Sequence, residues 1–560
     1  MSESGNERRT AWYGWYLLLV AGMGGLLYGV DIGVISAALL YLGKTIDLTV
    51  AKTSVIVAAV LGGSMISSLI AGFFADWFGR KKMMIFSGLL FVLSILLIVS
   101  SHGFTLLFIG RLLQGLSGGV IAVVIPLYLA ECLSAGKRGR GTAIFQFLIT
   151  FGVVVSSVVG WLYIQHAVAA TAAAHGNTLL IRAAEDHAWR GMFLSVIYPG
   201  VCFFIGAFFL SESPRWLFHK GRIEEAYRVC RRSLPEDEVR AEMAQMQELA
   251  AASKLRAETF GQGSLLQRKY VLPFVLACIV LAFTQASGIN SILSYLVIIL
   301  KQAGMSPAHA GQGDVLVKLL HCVITVVAIP LVDRRGRKFL LTLGTGGMIL
   351  SLLAIAFLFR GIEAHHSDVR AQVESAISGN RLTISAASLR TWSNSVQGPV
   401  ALTVLYSYGG GNKSASIASS ESEALTLEPD ARHKSAPLVI HQAVLGPVPA
   451  ENMAWLAAFC LAVFVACHSI GPGVVVWLTL SELMPTRIRS VGMGIALVLN
   501  QGVSTLIAGV FLSVVSRYGY HVMFACCAAC TVIYFITAAF YLPETKGKSL
   551  EEIERSFERP

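Results

Sequence analysis

Along most of this chain, apolar runs of about the 20 residues needed to cross a bilayer as a helix alternate with short polar gaps. The runs predict spanning helices over 14–42, 53–76, 83–101, 104–131, 141–165 and 189–210, then over 270–300, 315–332, 339–359, 453–482, 490–515 and 519–542. Two stretches break the rhythm. Between 212 and 267 the chain is charged, and Ile223-Glu-Glu-Ala and Val239-Arg-Ala-Glu-Met-Ala-Gln-Met-Gln-Glu-Leu have the spacing of short amphipathic helices. Between about 361 and 452 it is polar, Ser/Ala-rich and contains Gly409-Gly410-Gly411.

Composition agrees with lipid as the main solvent. Hydrophobic residues make up 55% of the 560 positions and charged residues 14%, against about 25% charged in a soluble protein. The net charge of +11 sits in short gaps: Arg80-Lys81-Lys82, Lys137-Arg138-Gly139-Arg140, Arg334-Arg335-Gly336-Arg337-Lys338 and Arg487-Ile488-Arg489. The alternate gaps are poorer in Lys and Arg. This is the pattern that keeps basic loops cytoplasmic, and it predicts that both termini are cytoplasmic as well. A nucleic-acid partner would instead require basic residues clustered on one soluble face. The ten cysteines lie in or beside apolar runs and read as small hydrophobes, with no metal-site spacing. Arg8 and Arg9 precede an apolar run too long for a cleavable signal.

The chain repeats itself. Asp76-Trp-Phe-Gly-Arg80-Lys81 returns as Asp333-Arg-Arg-Gly-Arg337-Lys338. Glu131 with Arg138 returns as Glu482 with Arg489, and Glu212-Ser-Pro-Arg215 has a looser echo in Pro543-Glu544-Thr-Lys546. The reading is an all-α polytopic membrane protein of two six-helix halves. Residues 1–211 form the first half, 212–267 a cytoplasmic helical linker, and 268–560 the second half. Spacing locates the insertions: Asp76 to Glu131 is 55 residues, whereas Asp333 to Glu482 is 149, an excess of 94 that falls mostly within about 361–452. A smaller excess of 19 matches residues 166–187. Both are expected on the outer face.

An aspartate at a helix end near arginines can form charge-assisted hydrogen bonds between helices. Asp76 with Arg80 and Asp333 with Arg337 bracket tight glycine turns, and Glu131 with Arg138, Glu482 with Arg489, and Glu212 with Arg215 can join them. Such bonds, made in one conformation and broken in another, would gate a pathway between the halves. Asp31 lies well inside the first span, where an isolated carboxylate costs at least about 2.5–3.5 kcal/mol. Arg111 in the fourth span is its expected partner. Ionised and bridged, or protonated and parted, the pair would act as a proton switch. Gln285 and Asn290 interrupt the seventh run with amides; Gln146, Asn500, Gln501 and the aromatic Trp477 add groups that match sugar hydroxyls, and Tyr28 is counted with them. Amides in spans also bridge helices.

Together, Gly110-Arg111, Pro126-Leu-Tyr128-Leu-Ala-Glu131, Glu212-Ser-Pro-Arg215-Trp-Leu, the two Asp loops, Gln285 to Asn290 and Pro543-Glu544-Thr-Lys546-Gly547 resemble the sugar porter family of the major facilitator superfamily. The resemblance covers nearly the whole chain outside the two insertions. It implies twelve helices and transport of a monosaccharide or polyol. It places Gln146, Gln285, Asn290, Trp477 and Asn500 at sugar-contacting positions and matches Asp31 and Arg111 to the coupling pair of the bacterial sugar–proton symporters. His321 stands where asparagine is usual, and is assigned to the substrate site on that alignment. Thr284, Ser294 and Gln501 also depart from the family, so the sugar itself is left open. The expected function is proton-coupled sugar or cyclitol import by a monomer in a bacterial inner membrane, with no cofactor, no metal and no enzymatic activity. A facilitative uniporter and a non-transporting sugar sensor are the alternatives.

Overall fold

The computed structural model describes residues 3–133, 135–259, 268–393, 398–419, 424–429, 436–484 and 489–546, with positions 548, 552 and 557. Among them, 12 helical stretches are long and apolar enough to cross a membrane. The first six are α1 (Glu3–Thr45), α2 (Val50–Phe78), α3 (Arg80–Val99), α4 (Phe104–Cys132), α5 (Ala135–Ala173) and the broken pair α6 (Thr178–Ser195) and α7 (Ile197–Phe209). Three helices of the charged stretch follow: α8 (Pro214–His219), α9 (Ile223–Ser233) and α10 (Glu236–Thr259). The second group starts with the broken pair α11 (Arg268–Ala286) and α12 (Ile289–Gln302), then α13 (Pro307–Arg335) and α14 (Arg337–Glu363). After an insert carrying α15 (Arg370–Ser375) and α16 (Ala386–Trp392) come α17 (Glu451–Ile470) broken from α18 (Pro472–Leu483), then α19 (Arg489–Tyr518) and α20 (Tyr520–Ile536).

The ends of the bundle differ. One carries the Gly79 and Gly336 turns with the Arg80–Lys82 and Arg334–Lys338 clusters, and is called the basic face. The other carries the insert and is called the insertion face. Small residues let the helices approach closely within a half. A Cβ on Gly115 of α4 would lie 2.1 Å from the Val60 carbonyl oxygen of α2, and one on Gly29 of α1 would lie 1.9 Å from that of Ile149 in α5. Any side chain there would force the helices apart.

Residues 166–187 form no separate loop. α5 runs on to Ala173, a short turn follows, and α6 starts at Thr178 under a cap from Asn177. The Ala-rich composition that read as a connector is also the composition of a good helix. α6 is then tied to the end of α1, with Trp189 Nε1 donating to Thr45 Oγ1 at 2.8 Å and Lys44 paired with Glu185.

The larger insert is a small folded unit of strands and helices attached to the helical bundle. Its strands are β1 (Ser367–Asp368), β2 (Ile377–Ser378), β3 (Arg381–Ile384), β4 (Val400–Tyr408), β5 (Lys413–Ala418), β6 (Leu425–Leu427) and β7 (Leu438–Pro447). They make a four-stranded sheet in the order β1-β7-β4-β5 and a three-stranded one in the order β2-β3-β6. Alternate positions of β4 and β7 point inwards, and Leu382, Leu402, Val404 and Ala443 are fully buried in its own core. Polar residues between the buried ones, Thr403, His441 and Gln442 among them, gave these strands their loop-like composition. The Gly409–Gly411 run is the hairpin between β4 and β5, with Gly409 at φ 63°. That hairpin touches the first half: Val50 donates its backbone N–H to the Asn412 carbonyl at 2.8 Å, and Lys413 pairs with Asp47 at 2.5 Å.

Residues 212–259 pack on themselves through Leu217, Ala226, Cys230, Val239 and Met243. Burial pushes the Cys230 thiol up to about 12, so it is protonated and inert at neutral pH.

Leu402→Ala should cost the insert about 2–5 kcal/mol through the cavity it leaves. Limited proteolysis is expected to cut within 364–450 at lower protease concentration while the membrane helices stay intact. Unchanged protection there would mean that the unit has no cooperative core.

Candidate functional site

Two matching networks occupy the basic face. In the first half, Arg80 reaches Asp76 at 2.9 Å and Glu131 at 2.8 Å. Glu212 lies over the start of α3 and accepts the backbone N–H of Arg80 at 2.9 Å and of Lys81 at 3.1 Å. A helix N-terminus presents unpaired N–H groups and a partial positive charge, which a carboxylate satisfies. Gly79 makes this fit: it has φ 99°, and a Cβ on it would lie 2.3 Å from Glu212 Oε2. Burial raises the Glu212 carboxyl above its usual range, and the N–H groups of Ser213, Lys81 and Arg80 draw it partly back.

The second half repeats the arrangement with other residues. Arg337 meets Glu482 at 3.0 Å, and Glu544 accepts from the backbone N–H of Arg337 at 3.0 Å and of Lys338 at 3.1 Å. Gly336 has φ 90°, with Glu544 where its Cβ would be. Glu544 is therefore the counterpart of Glu212, a role that its loose sequence echo only hinted at. Arg215 does not join Glu212; it pairs with Glu242 of α10 at 2.6 Å. The side chains of Arg138, Asp333 and Arg489 lie outside the described residues. The Arg80–Glu131 and Arg80–Glu212 bonds lie within the first half, and the Arg337–Glu482 and Arg337–Glu544 bonds within the second.

In the lipid-spanning region, Asp31 of α1 and Arg111 of α4 meet at 3.1 Å, each side chain 2% exposed. Arg111 also donates to Gln114 Oε1 at 2.7 Å and lies over the Phe193 ring at 5.5 Å. Gly118 leaves room for Asp31 and Tyr28 beside α4. The Arg111 Nε and the Gln114 Nε2 have no partner among the described residues, so the guanidinium keeps unused donor capacity. This bond is within the first half.

The amides gather in the second half. The seventh span breaks at Gly288, φ 84°, which turns Asn290 back towards Gln285. Asn290 Nδ2 donates to Gln285 Oε1 and to Ser504 Oγ, both at 2.9 Å, and Gln285 Nε2 donates to Asn500 Oδ1 at 3.3 Å. Asn500 is anchored on the Leu281 carbonyl at 3.1 Å. Gln501 crosses to the first half, donating to Ser64 at 3.3 Å, and the Tyr28 hydroxyl lies beside both. His321 Nδ1 is 2.7 Å from Ser469 Oγ. That hydroxyl is spent on the Val465 carbonyl at 2.8 Å, so Nδ1 must carry the proton and Nε2 is the acceptor. Gln146 is half-buried on α5 and Trp477 is 43% exposed on α18; neither is hydrogen-bonded into the amide cluster.

Sequence reasoning passed over two groups. His468, next to Ser469, is buried with neither ring nitrogen bonded among the described residues. Asp314 and Lys318 form an ion pair at 2.8 Å on α13, 2% and 0% exposed. The apolar run had put the start of this span at position 315, one residue beyond Asp314, which hid the carboxylate at the edge of the run.

The family description "Sugar (and other) transporter" matches residues 17–378 and 436–557, leaving out most of the insert. The glucose transporter GlcP of Staphylococcus epidermidis is 29% identical over 542 residues, covering 96% of each chain. A probable inositol transporter 2 of Arabidopsis thaliana is 28% identical over 563 residues, covering 97% of this chain and 91% of its own. Among solved structures, the inward-open xylose transporter XylE of E. coli superposes with a TM-score of 0.68 at 20% identity, over 97% of this chain and 99% of its own. At that identity the likeness is one of fold.

Arg80 and Arg337 sit in equivalent networks, so their loss should be equivalent. Arg80→Met or Arg337→Met leaves a half-buried carboxylate without its partner and is expected to cost about 1–3 kcal/mol, read as thermal unfolding in detergent. Arg222→Met, which breaks only the exposed pair with Glu225, should leave unfolding unchanged. Equal effects at all three positions would contradict the assignment.

Proposed function

The chain belongs to the sugar transporter family of the major facilitator superfamily, and from that premise we propose that it moves a monosaccharide or cyclitol together with a proton by alternating access. The observation that carries the reading is the Asp31–Arg111 pair, buried in the spanning region with both side chains 2% exposed. A permanent buried ion pair gives little stability over apolar packing, because desolvation offsets the attraction. A pair that opens on protonation does something packing cannot. A proton on Asp31 removes the charge that holds Arg111 and frees α1 to move against α4. Ionisable groups within spans are functional by default for this reason.

Substrate would bind between the halves. Gln285, Asn290 and Asn500 offer donors and acceptors from the second half, Tyr28 and Gln501 meet at the junction, and Gln146, His321 and Trp477 complete the proposed shell. The amides now satisfy one another, so a sugar hydroxyl would replace internal hydrogen bonds rather than meet unpaired groups. The basic face is assigned to the cytoplasm by the charge of its loops. Among the described residues, the hydrogen bonds between halves run from mid-membrane, at Gln501–Ser64 and Thr150–Cys322, to Ser36–Asp314 nearer the insertion face. This distribution supports a pathway shut on the outside and open inwards. The Asp76–Arg80 and Arg337–Glu482 networks would hold the helix ends of each half together at the basic face while α1 shifts.

In proteoliposomes given a panel of hexoses, pentoses and myo-inositol, one sugar should accumulate above equilibrium only under an inward proton gradient. Asp31→Asn should abolish accumulation and leave exchange intact. Equilibration that ignores the gradient would make the protein a uniporter and the buried pair structural. Asn290→Ala should raise the half-saturation concentration about tenfold or more, since a site built to hydrogen-bond a hydroxyl loses strongly when a partner goes; an unchanged value removes Asn290 from the shell.

A further inference from the structure

The second buried ion pair differs from the first in what it touches. Asp314 and Lys318 are one turn apart on α13, 2.8 Å from each other. Ser36 of α1, fully buried, donates to Asp314 Oδ1 at 2.9 Å, and Lys318 Nζ donates to the Gly33 carbonyl of the same helix at 3.4 Å. Ser36 Oγ also accepts the backbone N–H of Val297 in α12 at 3.3 Å. The second half thus grips α1 at two positions one turn apart, through a carboxylate, an ammonium and a peptide N–H. Ser36 is nine positions from the last residue of α1, or about 13 Å inside the insertion-face end of the helix at 1.5 Å per residue.

A pair within one helix gives that helix little that apolar residues would not. Its cost is recovered only through its contacts across the halves. We propose that Asp314 and Lys318 are a latch by which the second half holds α1 and keeps the insertion-face side of the pathway shut. This rests on the alternating-access reading. When the halves part, the contacts to Ser36 and Gly33 break, but the carboxylate and ammonium remain paired on α13 as a neutral unit. Opening therefore leaves no lone charge facing the pathway, and the broken hydrogen bonds are remade to entering water. Because Asp31 lies on the same helix, five residues before Ser36, a shift of α1 that follows Asp31 protonation also pulls on the latch. Asp314 and Lys318 are positioning residues in this account: they act on substrate only through α1.

Hydrogen–deuterium exchange of the full chain in lipid nanodiscs, without substrate, tests this. Ser36→Ala removes the crossing hydroxyl and leaves the ion pair whole. Amides of 33–46 and 289–302 should then exchange roughly three- to thirtyfold faster, as expected for losing one or two hydrogen bonds. Amides at 73–83 and 332–341, on the basic face, should exchange more slowly as that side closes. Ser36→Thr, which keeps the hydroxyl, should restore both rates. The paired replacement of Asp314→Leu with Lys318→Met, which strands no charge and removes both side-chain partners of α1, should act like Ser36→Ala. Faster exchange at both faces would reduce the pair to a structural contact, and no change at either would remove the latch altogether. Neither result depends on whether a proton is carried, so failure here is separable from failure of symport.

Discussion

Asp31 and Arg111 occupy a place where neither would be tolerated alone, and much of the bundle is arranged around that constraint. A charge taken out of water costs several kcal/mol even after the protein relaxes. Each partner must therefore be delivered by a different helix to the same depth. α1 and α4 do this at 3.1 Å, and Gly118 in α4 provides the space. Within α13 the same constraint is met by Asp314 and Lys318, one turn apart. The first solution joins two helices of one half. The second, through Ser36 and Gly33, joins one half to the other. Together they give α1 two charged attachments, of which only one spans the pathway.

The basic face shows a related economy. Glu212 and Glu544 each close the N-terminus of the helix after a glycine turn, and Arg80 and Arg337 each tie that turn to a glutamate on a later span. These bonds tie the helix ends of each half to one another at the basic face. A third carboxylate does the same at the opposite face: Glu363 accepts the backbone N–H of Tyr520 at 2.7 Å behind Gly519, φ 90°.

The insert adds a separately packed unit to this frame. Its core is its own, its strands alternate in the ordinary way, and its hairpin reaches the α1–α2 turn through Asn412 and Lys413. It is covalently part of the second half yet bonded to the first, on the same side of the bundle as the Asp314–Lys318 contact.

The spanning helices and the pairing of Asp31 with Arg111 were legible in the chain itself. These are properties of local composition and spacing. Lipid demands long apolar runs, and an ionisable residue inside one stands out against them. The β4 and β7 strands were less legible because Thr403, His441 and Gln442 on their more open side mask the buried alternate positions. Contacts made by rotation and tilt were not legible at all. Ser36 meets Asp314 across 278 positions, and nothing in either segment announces the other. Glu212 caps α3 instead of meeting Arg215 because the backbone, not a side chain, offers the nearer positive end. Local sequence determined which segments enter the membrane and which charges need partners. The packing of helices against one another decided which partners they found, because that depends on interhelical geometry that no single segment contains.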